Sequence, residues 1–340
     1  MTKIIISVHP NSEKEALQEL KKHSLGTCVE KLEENIFLYE TTMDFPEFSK
    51  AIRQRNICFV RQIIPVNLKY HLSQTQEDCF LLVKEIKEIL SKLKEKEIIL
   101  HVSFLSKKQS YDKKSFVDPL LNVLKKYKVV VNHTANQILS IVLIKNTAYI
   151  GISSVKESLT SWPLGHPHYA YRKEQICRAE FKIIESIDLF NLDLSKYKNA
   201  VDLGAAPGGW TRLLLERGMN VIAVDPAELD SSLSQYKKLI HYKGLSQNFF
   251  KEHPGKYDLI VNDMRMNVKD SVKIMQEASH YLSDKGLAIM TLKLNPNKKL
   301  SEVEYALKEL KKNFNIKKIR QLYHNRSEAT VLLGKLRLNH

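Results

Sequence analysis

Three side chains with proton-handling chemistry stand at the ends of strand-like runs. Asp263 closes Asp-Leu-Ile-Val-Asn-Asp, Lys293 closes Ala-Ile-Met-Thr-Leu-Lys, and Glu328 opens Glu-Ala-Thr-Val. A lysine ending a mostly apolar run is uncommon core material. Its plain alternative is a strand terminus whose ammonium snorkels to water. Lys182, in Cys-Arg-Ala-Glu-Phe-Lys, reads on its own as a surface lysine one turn into a helix. If these groups meet, the chemistry is proton transfer. A lysine whose pKa is lowered by burial or by a like charge can serve as a base.

The stretch that would carry a ligand to them is Asn-Ala-Val-Asp-Leu-Gly-Ala-Ala-Pro-Gly-Gly-Trp-Thr, residues 199–211. It reads as strand, glycine-rich turn and helix, the nucleotide-holding corner of a doubly wound sheet. The turn lacks the Gly-x-Gly-x-x-Gly spacing and the Walker lysine. Pro207 also removes an N–H that a pyrophosphate would use. A compact neutral turn after an acidic strand suits S-adenosylmethionine, a sulfonium cation with no phosphate. Asp225 ends the next strand, about twenty residues on, where an acid takes ribose hydroxyls. An ordinary βα turn with a chance glycine pair is the bland alternative, and the agreement of Asp202, the Pro-Gly-Gly-Trp run and Asp225 argues against it.

Missing residues narrow the acceptor. Methylation of base amino groups usually carries an Asn/Asp-Pro-Pro-aromatic run after the fourth strand, and Asn262-Asp263-Met264-Arg265 stands there instead. Carbon methylation of pyrimidines needs a cysteine nucleophile, and no cysteine closes a strand in this half. An acceptor hydroxyl fits better.

The elements needed to position these groups follow from periodicity. Helix 179–190 leads into strand 200–203. Strands 221–225, 239–242, 258–263 and 287–293 follow, with helices over 211–217, 271–282 and 301–313, and a final strand pair over 316–323 and 329–335. This order predicts an α/β domain over 176–340, a Rossmann-like, mostly parallel sheet with a terminal antiparallel hairpin. Before it, strand 3–8, helix 13–23 capped by Asn11 or Ser12, one or two strands in 27–40, helix 45–55 and strand 57–68 suit a ferredoxin-like module over 1–68. Helix 78–94, strand 98–105, helix 115–126, a short strand at 129–131 and a hairpin 137–144/148–154 make a second small α+β module over 69–157. A linker, 158–175, holds Trp162, Pro163, Gly165, His166, Pro167, His168, Tyr169, Tyr171, Arg172 and Lys173. Its prolines mark a boundary. Its mixture of aromatic and basic residues suits stacking on unpaired bases. His166 and His168 have no acidic or cysteine ligand nearby, so no metal site is expected.

The chain has 340 residues and a formal net charge of +15, with 43% hydrophobic and 27% charged residues. It is long enough for two or three domains. The positive balance points to a polyanion partner, most simply nucleic acid; general lysine enrichment is the alternative. Cys28, Cys58, Cys79 and Cys177 show no paired spacing, which speaks against zinc and disulfides and for a reducing compartment. The N-terminal apolar run is too short for a signal peptide and no stretch is long enough to span a membrane. A cytoplasmic monomer is the expectation.

Asp-Leu-Gly-Ala-Ala-Pro-Gly-Gly-Trp-Thr with the upstream Arg-Ala-x-Phe-Lys resembles the FtsJ/RrmJ group of RNA 2′-O-ribose methyltransferases. The resemblance covers roughly 175–335. It implies a Lys-Asp-Lys-Glu tetrad at Lys182, Asp263, Lys293 and Glu328. It also implies a cofactor site from Gly204, Ala206, Pro207, Gly208, Gly209, Trp210, Asp225 and Asp263. The run Ser161-Trp162-Pro163-Leu164-Gly165 and the small preceding modules are similar to a branch of that family. That branch places a ferredoxin-like module and a THUMP domain before its catalytic domain and methylates a cytidine ribose in large-subunit (23S) ribosomal RNA. Cys177 stands where this branch has a serine near the cofactor. Gln247 replaces the acid expected beside the adenine, and an amide can still bond an adenine amino group. A same-fold enzyme acting on transfer RNA or on a base fits the same residues, as does a catalytically inactive RNA-binding or ribosome-assembly factor.

Overall fold

The computed structural model describes residues 1–73, 75, 77–91, 93, 95–105 and 112–336. The chain divides into two compact units, Met1–Pro167 and His168–His340. The division falls inside the expected linker.

In the first unit, β1 (Thr2–Val8), α1 (Glu13–Lys22), β2 (Thr27–Glu33), β3 (Ile36–Thr41), α2 (Phe45–Gln54) and β4 (Val60–Pro65) build a four-stranded sheet in the order β2-β3-β1-β4. Every pairing is antiparallel. The stretch 27–40 is two strands because the chain reverses at Asn35, which holds a left-handed φ of 64°. Ser12 is the N-cap of α1, but its side chain makes no cap bond; the firm cap is the Asp44–Glu47 capping box of α2. The buried Glu19 carboxylate of α1 accepts the Cys58 and Phe59 N–H groups, which ties the helix to the entry of β4.

The expected strand 57–68 is broken: β4 ends at Pro65, and Leu68 opens β5 (Leu68–His71) in a second sheet. With α3 (Asp78–Ser91), β6 (Glu97–Phe104), α4 (Lys113–Lys126), β7 (Val130–Val131), β8 (Gln137–Ile144) and β9 (Thr147–Ser154), it completes a five-stranded sheet in the order β5-β9-β8-β6-β7. Lys94, the expected end of α3, lies outside the described residues. The two sheets share one apolar cluster, in which Ile5, Leu38 and Ile64 meet Val142, Ile144 and Tyr149. Leu164 of the linker joins it.

In the second unit, α5 (Glu180–Phe190), β10 (Asn199–Leu203), α6 (Gly209–Glu216), β11 (Asn220–Val224), β12 (Leu239–Tyr242), α7 (Ser246–Glu252), β13 (Tyr257–Asn262), α8 (Val268–Ala278), β14 (Leu282–Lys293), α9 (Lys299–Leu310), β15 (Phe314–Arg320) and β16 (Glu328–Lys335) follow in order. Their sheet reads β12-β11-β10-β13-β14-β16-β15. The strands are parallel through β14, and β16 runs antiparallel to both neighbours. The fold is therefore the Rossmann-like methyltransferase variant. The last strand inserts between β14 and β15 and leaves β15 at the edge. Successive strands leave β10 on opposite sides, so the switch point lies between β10 and β13, where such sheets hold ligands. The helix α7 was absent from the periodicity reading, and residues 337–340 of the expected domain lie outside the described residues. No described helix is long and apolar enough to cross a membrane.

Where the two sheets of the first unit meet, Gly151 packs so closely that a Cβ there would stand 1.8 Å from the Pro65 carbonyl oxygen. Gly151→Ala is expected to lower stability by roughly 1–3 kcal/mol, the usual range for overpacking. Urea unfolding of the intact chain reads this as a lower midpoint.

Candidate active site

β10 and β13 end side by side, with Leu203 in register with Asn262. The chain then turns at both ends. Gly204 holds a left-handed φ of 74°, and a Cβ on it would lie 2.4 Å from Met264 Cγ. Only glycine fits that turn without displacing the methionine. Beyond β13, the buried Asn262 accepts the Met264 N–H at 3.0 Å and shapes the turn that carries Asp263. Between these turns lies a cavity of about 420 Å³, lined by Gly204, Ala206, Asp225, Gln247, Asp263 and Met264 among others.

At its edge four side chains meet. Lys182 Nζ lies 3.2 Å from both Asp263 oxygens and 2.9 Å from Glu328 Oε2. Lys293 Nζ lies 2.9 Å from Glu328 Oε1 and bonds Asp263 Oδ1. Each acid touches both lysines. Lys293 and Glu328 are register partners across the antiparallel β14–β16 pair, which puts their side chains on one face of the sheet. All four are between 14 and 20% exposed.

Lys182 reaches this point because α5 is fastened at two places. Glu180, fully buried, pairs with the buried Arg212 of α6, and Trp210 donates its indole N–H to the Ala179 carbonyl at 2.8 Å. One turn beyond Lys182, Glu185 accepts the Tyr323 and His324 N–H groups at 2.7 and 3.0 Å, and His324 Nδ1 lies 2.7 Å from it. That loop leads to Asn325, buried, whose amide donates to Glu328 Oε2 at 3.4 Å. A buried charge demands such partners, and each bond here also sets the place of a tetrad residue.

Burial disfavours the Lys182 ammonium, yet Asp263 and Glu328 outweigh it and raise its pKa above the ordinary lysine value. Burial would raise the Glu328 carboxyl, but Lys293 and then Lys182 hold it below the ordinary carboxylate value. The stability due to Glu328 is therefore present above the unfolded carboxylate pKa and is lost as pH falls through its lower folded value. That due to Lys182 is present below the unfolded lysine pKa and is lost as pH rises through its higher folded one. Both of these contributions are in force across the neutral range.

The other expected cofactor residues divide. Ala206, Gly204, Asp225, Gln247 and Asp263 face the cavity. The Asp225 oxygens accept the Ala206 and Ala227 N–H groups at 3.0 and 2.8 Å. The acid expected to hold ribose hydroxyls thus also fixes the turn, and its remaining lone pairs are what a ribose can use. Trp210 is 3% exposed and belongs to the core with Leu213, Leu214 and Ile183. Its ring turns inward because α6 begins at Gly209 and residues 210, 213 and 214 share the core face. Cys177 packs behind the turn, where a Cβ on Gly209 would stand 2.5 Å from its Sγ, and burial raises its thiol pKa. Pro207, Gly208 and Gly209 lie outside the cavity lining. Arg212, Glu180, Glu185 and Asn325 were not anticipated; charged residues on the apolar side of a helical run, as at Glu180 beside Ile183, are the signal that marked two of them. Among the described residues, no group of three or more His, Cys, Asp or Glu is placed to hold a metal.

Residues 175–329 match the model of the FtsJ-like methyltransferases. This segment belongs to that family. Ribosomal RNA large subunit methyltransferase M of Pseudomonas putida is 30% identical over 241 residues, 66% of each chain. The proteins of that name from Histophilus somni and Shewanella sediminis are 33% identical over 206 residues and 31% over 202, 55% of each chain. The chain thus spans 55–66% of the length of these curated relatives. The FtsJ-like domain takes S-adenosyl-L-methionine, and the cavity suits it. Asp225 and Asp263 supply negative charge for a sulfonium, the absent Cβ of Gly204 leaves room, and the volume is that of a small-molecule site.

Two outcomes are expected. Gly204→Ala should weaken cofactor binding at least about tenfold by calorimetry, because its Cβ displaces Met264 and strains a left-handed turn. Glu328→Gln removes one of the two anions on Lys182 and should lower that lysine's pKa, read by NMR titration of lysine side-chain carbons.

Proposed function

We propose that the FtsJ-like domain transfers a methyl group from S-adenosylmethionine to a ribose 2′-hydroxyl of RNA, with Lys182, Asp263, Lys293 and Glu328 as the working set. The proposed acceptor lies in large-subunit ribosomal RNA, following the names of the relatives, and is a cytidine if the resemblance of the sequence extends that far. The observation that carries the reading is the meeting of two ammonium groups and two carboxylates at the edge of the cavity that fits the cofactor.

The cofactor supplies an already electrophilic methyl carbon. The residues must align an acceptor and remove its proton. With both lysines protonated and both acids ionised, the cluster is neutral overall. A cation in the cavity beside Asp263 makes it positive, which favours loss of one lysine proton. Lys182, with its raised pKa, keeps its proton and continues to hold both acids. Lys293 then takes the hydroxyl proton as the oxygen–methyl bond forms and the sulfur–methyl bond breaks, its electron pair staying on sulfur. Most of the acceleration comes from alignment.

We further propose that residues 1–68 and 69–157 act as ferredoxin-like and THUMP-like modules that hold the RNA, consistent with the +15 charge. The proposed setting is a monomer in the cytoplasm.

Lys293→Ala should reduce methyl transfer by roughly 10²–10⁴-fold, the range for a lost general base, with cofactor affinity within a few-fold of wild type. Labelled-methyl assays on ribosomal RNA and calorimetry read the two. Near-normal turnover would remove Lys293 from its role. Nucleoside mass spectrometry of the product shows a 2′-O-methylcytidine if the reading holds; a base-methylated nucleoside or a transfer-RNA target would replace it.

A further inference from the structure

Beside the tetrad, on the side of Lys182 and Glu328, the second unit carries a group of aromatic rings that the catalytic reading leaves unused. Phe181 directly precedes Lys182, and His324 lies in the loop that leads to Glu328. Their rings are 5.0 Å apart and 22° from parallel. Tyr169, from the aromatic and basic stretch of the linker, joins both, 6.3 Å and 15° from Phe181, and 5.7 Å and 35° from His324. Tyr323 meets the His324 ring edge-on and is 37% exposed. Glu185 fixes the loop, and Asp188 accepts the Tyr169 hydroxyl at 2.7 Å. The rings are therefore held before any ligand arrives. Arg178 and Arg326, both exposed, flank them in the chain.

We propose that this ring group is the platform on which the base of the acceptor nucleotide stacks. The inference rests on the reading of the domain as an RNA ribose methyltransferase and adds how that site holds its substrate. Asp263 belongs both to the cavity and to the tetrad, Phe181 precedes Lys182 on α5, and Glu185 of the same helix holds Tyr323 and His324 in the loop that leads to Glu328. Donor, proton-handling groups and rings thus follow one another. In the proposed complex the base lies on the rings and the sugar reaches the tetrad. Parallel aromatic faces hold unpaired bases without demanding one base identity. The exposed arginines beside them suit the flanking phosphates.

The test uses the full chain and two RNAs. One is a large-subunit ribosomal RNA fragment containing the nucleotide that the wild type methylates. The other is the same fragment with an abasic ribose there, which keeps the 2′-hydroxyl. Tyr169→Leu and Tyr323→Leu are expected to raise the KM for the first RNA on the order of tenfold, within the range for loss of one base–aromatic stack, with the KM for S-adenosylmethionine and the thermal midpoint little changed. The abasic RNA should cost the wild type a similar factor and the variants no more. Tyr169→Phe, which keeps the ring, should restore most of the KM. If Tyr169→Leu fails to fold, the exposed Tyr323→Leu carries the comparison. Equal losses on both RNAs, or none, while the wild type methylates normally, overturn the platform alone and make the rings a packing element of the loop. A wild type that methylates no RNA overturns the reading of the site and the platform with it.

Discussion

Two lysine ammonium groups that bond one and the same oxygen, Asp263 Oδ1, lie close enough to repel each other. Half-buried, they would otherwise release a proton or swing into water. They stay because Asp263 and Glu328 each touch both. The four residues come from α5, the end of β13, the end of β14 and the start of β16, so the charge balance holds only if all four elements arrive in register. A displaced element leaves an unmatched charge in a partly dry place. The cluster is thus a constraint on the second unit as well as its chemistry.

The supports around it follow the same logic at greater depth. Arg212 and Glu180 are almost fully buried, and removing one partner of such a pair leaves the other stranded at a cost of about 3–5 kcal/mol. That pair fixes the start of α5 against α6, whose other neighbour is the turn after β10. Glu185 fixes the next turn of α5 against the loop before β16. Lys182 lies between the two anchors, so its position follows from contacts it does not itself make.

What was legible in the sequence was whatever depends on nearby residues. The strand, turn and helix at 199–211 showed through spacing, and Lys293 stood out because an ammonium is a poor end to an apolar run. Most strands and helices appeared as periodicity. The misses depend on distant partners. The resemblance placed Trp210 in the cofactor site, and the burial of its ring depends on core residues distant in the chain. The helix α7 is short, its N-cap Leu245 makes no side-chain cap bond, and its apolar content is the pair Phe249 and Phe250, so no window displayed a period. Glu185 bonds a loop far along the chain, and nothing in its neighbours marks it. The break between β4 and β5 follows from two sheets sharing a core, which no local pattern reports.

The chain combines a positive overall balance with acids at the cavity. Overall it is strongly positive, as a partner of a polyanion should be. Asp225, Asp263 and Arg265 line the cavity, and Asp202 lies buried beneath the turn with Thr211 donating to its carboxylate at 2.7 Å. Burial, with Asp263 and Asp225 adding to it, raises the Asp202 pKa to about 7. An acid held so close to neutrality gains its charge most readily when a cation arrives nearby. A phosphate-bearing ligand would meet the Asp225 and Asp263 carboxylates and no glycine-rich phosphate cradle. A sulfonium meets the field that suits it, and after methyl transfer the neutral thioether loses that attraction. The acids that favour entry of such a donor thereby lose their hold on its product.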